Sequence, residues 1–157
     1  MKKLATKKVG DSKIDYYPYE IFPHDLNPKN TVFGGTVMAE ADKIAGIIAQ
    51  RHSNKIAVTL LVDSIRFLAP ARQGETLIFK ASLNRAWNTS MEIGVKVLAE
   101  NFLKKESRHV LSAYFTFVAL NKKDRPAKIS HVLPESDEEK RRFDEAQKRR
   151  ERRLEIA

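Results

Sequence analysis

An α+β fold, with a curled antiparallel sheet wrapped around a central helix and an extra C-terminal helix, is predicted by three features of this 157-residue chain. One helical stretch is apolar over most of its surface. Four long runs rich in β-branched and aromatic residues follow it, and the chain closes on a polar helix. Strands in direct succession, joined by turns, pair antiparallel, and so apolar a helix must lie inside the curl they form.

The elements can be justified in order. The basic arm, 1–13, carries Lys2, Lys3, Lys7, Lys8 and Lys13 and reads as a solvated, frayed terminus. Residues 13–22 are aromatic-rich and predict a first strand, stopped by Pro23. After Gly34-Gly35, the residues Val37, Met38, Ala41, Ile44, Ala45 and Ile48 recur at the three- and four-residue spacing of one apolar helix face. Glu40, Lys43 and Gln50 fall on the opposite side, and Asp42 flanks the stripe beside Met38 and Gly46. Residues 56–67, 75–86, 90–101 and 108–120 are the four strands, separated by turn chemistry such as Arg72-Gln73-Gly74. Met91, Ile93, Val95 and Val97 alternate with Glu92, Gly94 and Lys96, which predicts one dry and one wet sheet face.

The terminal helix announces itself by Pro134, then Ser136 with Glu139 three residues on, acids early and bases late, as a capping box and a helix dipole require. Its sizeable apolar side chains are Phe143, Leu154 and Ile156, too few for a core. It is therefore expected on the surface, solvated in preference to packed on a neighbouring subunit. The organisation read from the chain is an arm at 1–13, a catalytic domain at 14–130 and a charged helix in 131–157.

Composition narrows the chemistry. With no cysteine, disulfides, thiolate nucleophiles and cysteine-containing zinc sites are excluded, and His24, His52, His109 and His131 show no useful metal-ligand spacing. No metal is expected. The basic start is followed by no apolar run, so neither a secretory signal nor a membrane span is predicted, and a cytoplasmic enzyme is the default. The formal net charge is +9, yet from residue 135 onward eight acids balance eight bases, so the excess belongs to the arm and the body.

The chemistry concentrates between Asn27 and Asp42. An amide, a glycine pair and a carboxylate surround one predicted helix start. Gly34 and Gly35 let the backbone approach a ligand, and the helix start aims unpaired N–H groups and a positive dipole end at its oxygen. Such donors suit the oxyanion of an acyl-transfer reaction. Taken alone, the pair also fits an ordinary tight turn and Asp42 an ordinary helix-surface residue.

Several ordered blocks carry a resemblance. These are Asn27 with Phe33-Gly34-Gly35, Met38 and Asp42; Val62-Asp63 with Phe67, Pro70 and Gly74-Glu75; Thr89-Ser90-Met91-Glu92-Ile93-Gly94-Val95; and Ala113 to Leu120 with Pro126. Over roughly residues 19–128 the chain resembles the hotdog-fold acyl-CoA thioesterases, the bacterial acyl-CoA hydrolase group. The resemblance implies that the central helix is the sausage of the hotdog, that two protomers form the working unit, and that the site straddles their interface. It places the family's catalytic Asp at Asp42 and its loop Asn, contributed by the facing subunit, at Asn27. Asn30 stands where relatives often have Gly, and Asn tolerates left-handed backbone angles better than most residues.

The implied activity is hydrolysis of fatty acyl-CoA to free fatty acid and coenzyme A, with no cofactor beyond the coenzyme A of the substrate. Asp42 either deprotonates water or attacks directly to form a transient anhydride, Asn27 orients the water or carbonyl, and the Gly34 or Gly35 amide holds the oxyanion. Arg85 and Lys96 are candidates for the coenzyme A phosphates, Thr89 and Ser90 for the pantetheine arm. A hotdog hydratase or dehydratase is disfavoured, since His24 precedes the Asn and His52 lies at the far end of the helix. A basic nucleotide- or RNA-binding module is disfavoured by the balancing acids and the lack of an aromatic stacking platform. Neither nucleic acid nor membrane is expected as a partner. The expected assembly is a homodimer joined edge to edge through the strand at 89–99, and further a trimer of dimers as the resemblance implies.

Overall fold

The computed structural model describes residues 3–157; Lys2, counted with the basic arm, lies outside the described residues. In chain order the elements are β1 (Lys7–Lys8), β2 (Ile14–Glu20), α1 (Gly34–Ser53), β3 (Ile56–Phe67), β4 (Thr76–Ala86), β5 (Ser90–Asn101), β6 (Glu106–Leu120), β7 (Val132–Leu133) and α2 (Asp137–Ile156). The main sheet is antiparallel in the order β2-β4-β5-β6-β3.

That order overturns the choice of the 89–99 strand as the edge. β5 is the central strand, bonded along its length to β4 and β6, and the edges are β2 and β3. The alternation that drew attention to β5 reflects a strand packed on both faces. The true second edge, β3, follows α1 in sequence but crosses to the far side of the sheet to pair with β6. Its side chains Ile56 and Leu60 are 67% and 61% exposed.

α1 is buried as its periodicity demands: Val37, Ala41, Ile44, Ala45, Ile48 and Ala49 are each at most 2% exposed, against Leu77, Phe79, Ile93 and Phe115 of the sheet core. Burying an Ile of this kind contributes about 1.5–3 kcal/mol. Met38 departs from the prediction at 39% exposed, because it sits at the margin of the stripe where nothing among the described residues covers it. The helix ends at Asn54, whose left-handed φ of 54° lets its N–H return to the Gln50 carbonyl at 2.8 Å.

The arm is anchored from Lys7 on, which corrects the frayed reading there. β1 pairs in parallel with β7, the Lys7 ammonium donates to the His52 carbonyl at 2.6 Å, and Val9 is buried.

α2 is a second correction: it docks on the sheet face opposite α1. Arg149 donates to both carboxylate oxygens of Glu92, at 2.7 and 3.1 Å, and Glu92 is fully buried. Arg149 also lies 3.7 Å over the Tyr114 ring, Trp87 donates to Gln147, Arg153 donates to Asp63, and Ala146 is buried. Part of the face read as wet is therefore covered. Arginine stems supply contact area that a count of apolar residues misses. The predicted capping box is present, with the Glu139 N–H donating to Ser136 Oγ at 3.1 Å and the Ser136 N–H to Glu139 Oε2 at 3.2 Å. Among the described residues no helix is long and apolar enough to cross a membrane.

Candidate active site

Asp42 is half-buried on α1 and accepts a hydrogen bond from the Thr59 hydroxyl at 2.6 Å. Thr59 stands on the edge strand β3, opposite Phe117 of β6. This bond fixes one carboxylate oxygen, and among the described residues the other has no partner. Sequence reading missed Thr59. The available signal was a lone hydroxyl within the aliphatic run Ile56-Ala57-Val58-Thr59-Leu60-Leu61-Val62.

The glycine pair opens α1. The Phe33 N–H donates to the Asp25 carbonyl at 2.8 Å, and the Thr36 and Val37 N–H groups turn back to the Phe33 carbonyl. Gly34 and Gly35 N–H groups are left with no acceptor among the described residues, as the first turn of a helix leaves them. A Cβ on Gly34 would meet the Phe67 ring at 3.0 Å, and one on Gly35 the Phe33 ring at 2.5 Å. Two half-exposed aromatic rings thus close on the helix start, and only glycine admits them so near.

Asn27 is held within its own loop. Its Oδ1 accepts from the Lys29 N–H at 2.9 Å and the Thr31 N–H at 3.3 Å, while Nδ2 donates to Thr31 Oγ1 at 2.9 Å. Asn30 takes the left-handed conformation, φ 59°, that lets this tight loop close. Behind the loop, buried Asp25 accepts from the Tyr19 hydroxyl at 2.8 Å and the Phe22 N–H at 2.9 Å. That bond to the carboxylate, reinforced by burial, pushes the Tyr19 phenol up to about 12.

The remaining candidates lie on the other face of the sheet or at its margin. Arg85 stacks on Phe143 of α2 at 3.8 Å and donates to its carbonyl at 3.2 Å, and Ser90 Oγ accepts from Arg150 at 3.2 Å. Thr89 is half-buried and its carbonyl accepts from the Ala119 N–H. Lys96 is exposed, opposite Lys80 of β4 and Ser112 of β6. Asp42 and Thr59 are brought together, whereas Asp42 lies two helical turns beyond Gly34 rather than beside the helix start.

An antiparallel sheet curled round a helix, with free amides at the helix start and a carboxylate further along it, defines a class of acyl-thioester hydrolases. The comparisons agree. The Thioesterase superfamily profile matches residues 29–102. The chain is 37% identical over 119 residues to the protein called uncharacterized acyl-CoA thioester hydrolase YkhA of Bacillus subtilis, covering 76% of this chain and 69% of that one. A crystal structure of an apo hexameric acyl-CoA thioesterase superposes with a TM-score of 0.94 at 31% identity, covering 98% of this chain and 97% of that one. The acyl-CoA hydrolase of Staphylococcus aureus in complex with butyryl coenzyme A and coenzyme A superposes with a TM-score of 0.90 at 36% identity, covering 97% and 92%. That hydrolase has also been solved as alanine variants at an aspartate, a threonine and an asparagine.

This chain belongs to the hotdog-fold acyl-CoA thioesterases of the thioesterase superfamily.

Proposed function

We propose that the protein hydrolyses fatty acyl-CoA to free fatty acid and coenzyme A, with Asp42 as general base. Thr59 orients the Asp42 carboxylate, whose free oxygen takes a proton from water as that water attacks the thioester carbonyl. The Gly34 and Gly35 amides stabilise the tetrahedral oxyanion, and the thiolate of coenzyme A leaves. The residue types replaced in the S. aureus hydrolase variants are those of Asp42, Thr59 and Asn27 here, which supports this assignment.

The observation that carries the reading is the spacing on α1. Asp42 follows Gly34 by eight residues, roughly 12 Å at 1.5 Å per residue. The free amides and the carboxylate of one helix cannot both reach one carbonyl. Two helices related by a two-fold axis perpendicular to them run antiparallel, and in that arrangement Asp42 of one protomer faces the glycine amides of the other. The uncovered edge strand β3, which carries Thr59, supplies the unpaired backbone groups for such a dimer. Likeness to a hexameric thioesterase supports further assembly as a trimer of dimers. Asn27 of the facing subunit closes the site in this arrangement, and Thr89 is the remaining candidate for the pantetheine arm.

The test is thiol release from a panel of acyl-CoAs of different lengths, with Asp42→Asn as the comparison. A loss of roughly a hundredfold to ten-thousandfold in rate is expected for the variant. Near wild-type turnover would sink the role of Asp42. Direct attack by the carboxylate, with water then opening the anhydride at Asp42 Cγ, would leave oxygen from labelled water in the Asp42 side chain, and a general base leaves none. Mixing Asp42→Asn with Asn27→Ala protomers is expected to restore partial activity, because one of the two composite sites keeps both residues.

A further inference from the structure

Asp25 is the one acid between β2 and α1, and it is buried at 3% exposure, yet the hydrolysis proposed above makes no use of it. Both of its carboxylate oxygens are engaged. The Tyr19 hydroxyl donates to Oδ1 at 2.8 Å and the Phe22 N–H to Oδ2 at 2.9 Å, while the exposed His24 ring reaches Oδ1 at 3.5 Å from the solvent side. Burying a carboxylate is costly, and apolar groups in place of such buried ions are often as stable or more so. Stability alone therefore gives no reason for an acid here, whereas bonds to a charged acceptor fix geometry well.

The geometry that Asp25 fixes belongs to the site. Its backbone carbonyl accepts the N–H of Phe33, the residue before Gly34, at 2.8 Å. Leu26 bridges Val32, and the Asn27 N–H donates to the Thr31 carbonyl at 2.8 Å, so residues 25–33 close into a small hairpin. Asn27 stands on its first limb, and the glycine pair begins where its second limb ends. That second limb is tied down independently, by the Val32 N–H donating to the Ala71 carbonyl at 2.8 Å and by the bridge of Thr31 to Arg72. The first limb is fixed upstream by the Asp25 carboxylate, which binds it to Tyr19 of β2. The Tyr19 phenol, raised to about 12, remains a donor throughout the neutral range.

We propose that Asp25 is a positioning residue for hydrolysis: held by Tyr19 and the Phe22 N–H, it sets the distance between Asn27 and the Gly34 and Gly35 amides. One protomer then presents both as a rigid unit to the partner's Asp42. The inference rests on the thioesterase reading and its two-fold site. Asn27 and the amides come from opposite limbs of one loop, so their separation is decided at the loop base, and a displacement of about 1 Å can cost roughly a hundredfold in rate.

The experiment combines thiol release by the full chain, over a concentration series of the acyl-CoA it turns over fastest, with hydrogen exchange of the amides of 26–36. Asp25→Ala is expected to lose roughly ten- to hundredfold in kcat with KM within a few-fold, and to exchange faster across 26–36. Tyr19→Phe removes one of the two bonds, disturbs the fold less, and should shift kcat and exchange in the same direction by a smaller factor. Mixing Asp25→Ala with Asp42→Asn protomers should restore activity, because one composite site then joins an intact loop to an intact carboxylate. Mixing Asp25→Ala with Asn27→Ala should restore none, because each site then contains a damaged loop. Wild-type kcat per folded enzyme in both variants overturns the proposal. Recovery in the Asn27→Ala mixture also overturns it, since a purely structural defect is repaired by any sound partner. A wild-type chain that releases no thiol from any acyl-CoA overturns the thioesterase reading instead; exchange across 26–36 then still shows whether Asp25 holds the loop, and unchanged exchange removes that role too.

Discussion

Thr59 donates its hydroxyl to Asp42 at 2.6 Å, tying the edge strand β3 to the central helix at the carboxylate. Four residues further along the same strand, Asp63 accepts from Arg153 of α2 on the opposite sheet face. Residues four apart on a regular strand share a face, and the bulges of β3 between Thr59 and Leu61 and between Val62 and Ile65 break that rule. One strand thereby holds the Asp42 carboxylate on one side and the terminal helix on the other.

Removing the hydroxyl should expose its role. Thr59→Val keeps the shape of the side chain and loses the bond, and a hydrogen bond to a charged group contributes about 1.5–3 kcal/mol. The expected result is a roughly ten- to hundredfold fall in kcat for acyl-CoA hydrolysis, with the melting temperature little changed. Unaltered kcat would remove Thr59 from the mechanism.

The edge strand should set the oligomeric state. Leu60 is 61% exposed on β3, and Leu60→Lys places a charge where a second copy would pair. Sedimentation is expected to show dissociated protomers without thioesterase activity; an intact, active dimer in this variant would move the interface elsewhere.

At the helix start, stability and activity should part. Gly35→Ala puts a methyl 2.5 Å from the Phe33 ring, which is 58% exposed and free to swing outward. Alanine also favours helix over glycine by up to about 1 kcal/mol. The variant should melt at or above wild type, yet lose turnover as the methyl and the displaced ring crowd the free amides. Full activity would argue against an oxyanion site there.

Under α2, Glu92 is fully buried and relies on Arg149 and Asn84. Arg149→Ala strands that carboxylate, and breaking a buried pair from one side costs about 3–5 kcal/mol. Chemical denaturation is the measurement. A loss below about 1 kcal/mol would mean that α2 is only lightly attached.

Acid should weaken the fold through His52. Its Nε2 donates to the Ser130 carbonyl at 2.7 Å, Nδ1 is buried without a partner among the described residues, and burial holds its pKa below the ordinary 6.5. The unfolded chain then binds a proton near pH 6.5 that the folded state refuses. This contribution is present above pH 6.5 and is lost as pH falls from there toward the lowered folded value. Glu75, held below 4.5 chiefly by the Arg108 hydrogen bond, adds its loss only at lower pH. Melting temperatures should drop between pH 7.5 and 5.5 in wild type, and less in His52→Gln, which keeps a donor for Ser130.

The sequence by itself determined what is local or repetitive. The apolar period of α1, the alternation of the strands, the capping box of Ser136 and Glu139 and the glycine pair each follow from side-chain geometry within a few residues. Tertiary structure alone decided what depends on distant segments meeting. Strand order made β3 rather than β5 the edge, because the crossover from α1 carries β3 past three strands to β6. Docking of α2 buried Glu92, because arginine stems and one carboxylate create a contact that apolar counting does not register. The bond between Thr59 and Asp42 joins two elements across a turn, so its register, and with it the orientation of the carboxylate, is fixed only when the sheet closes on the helix.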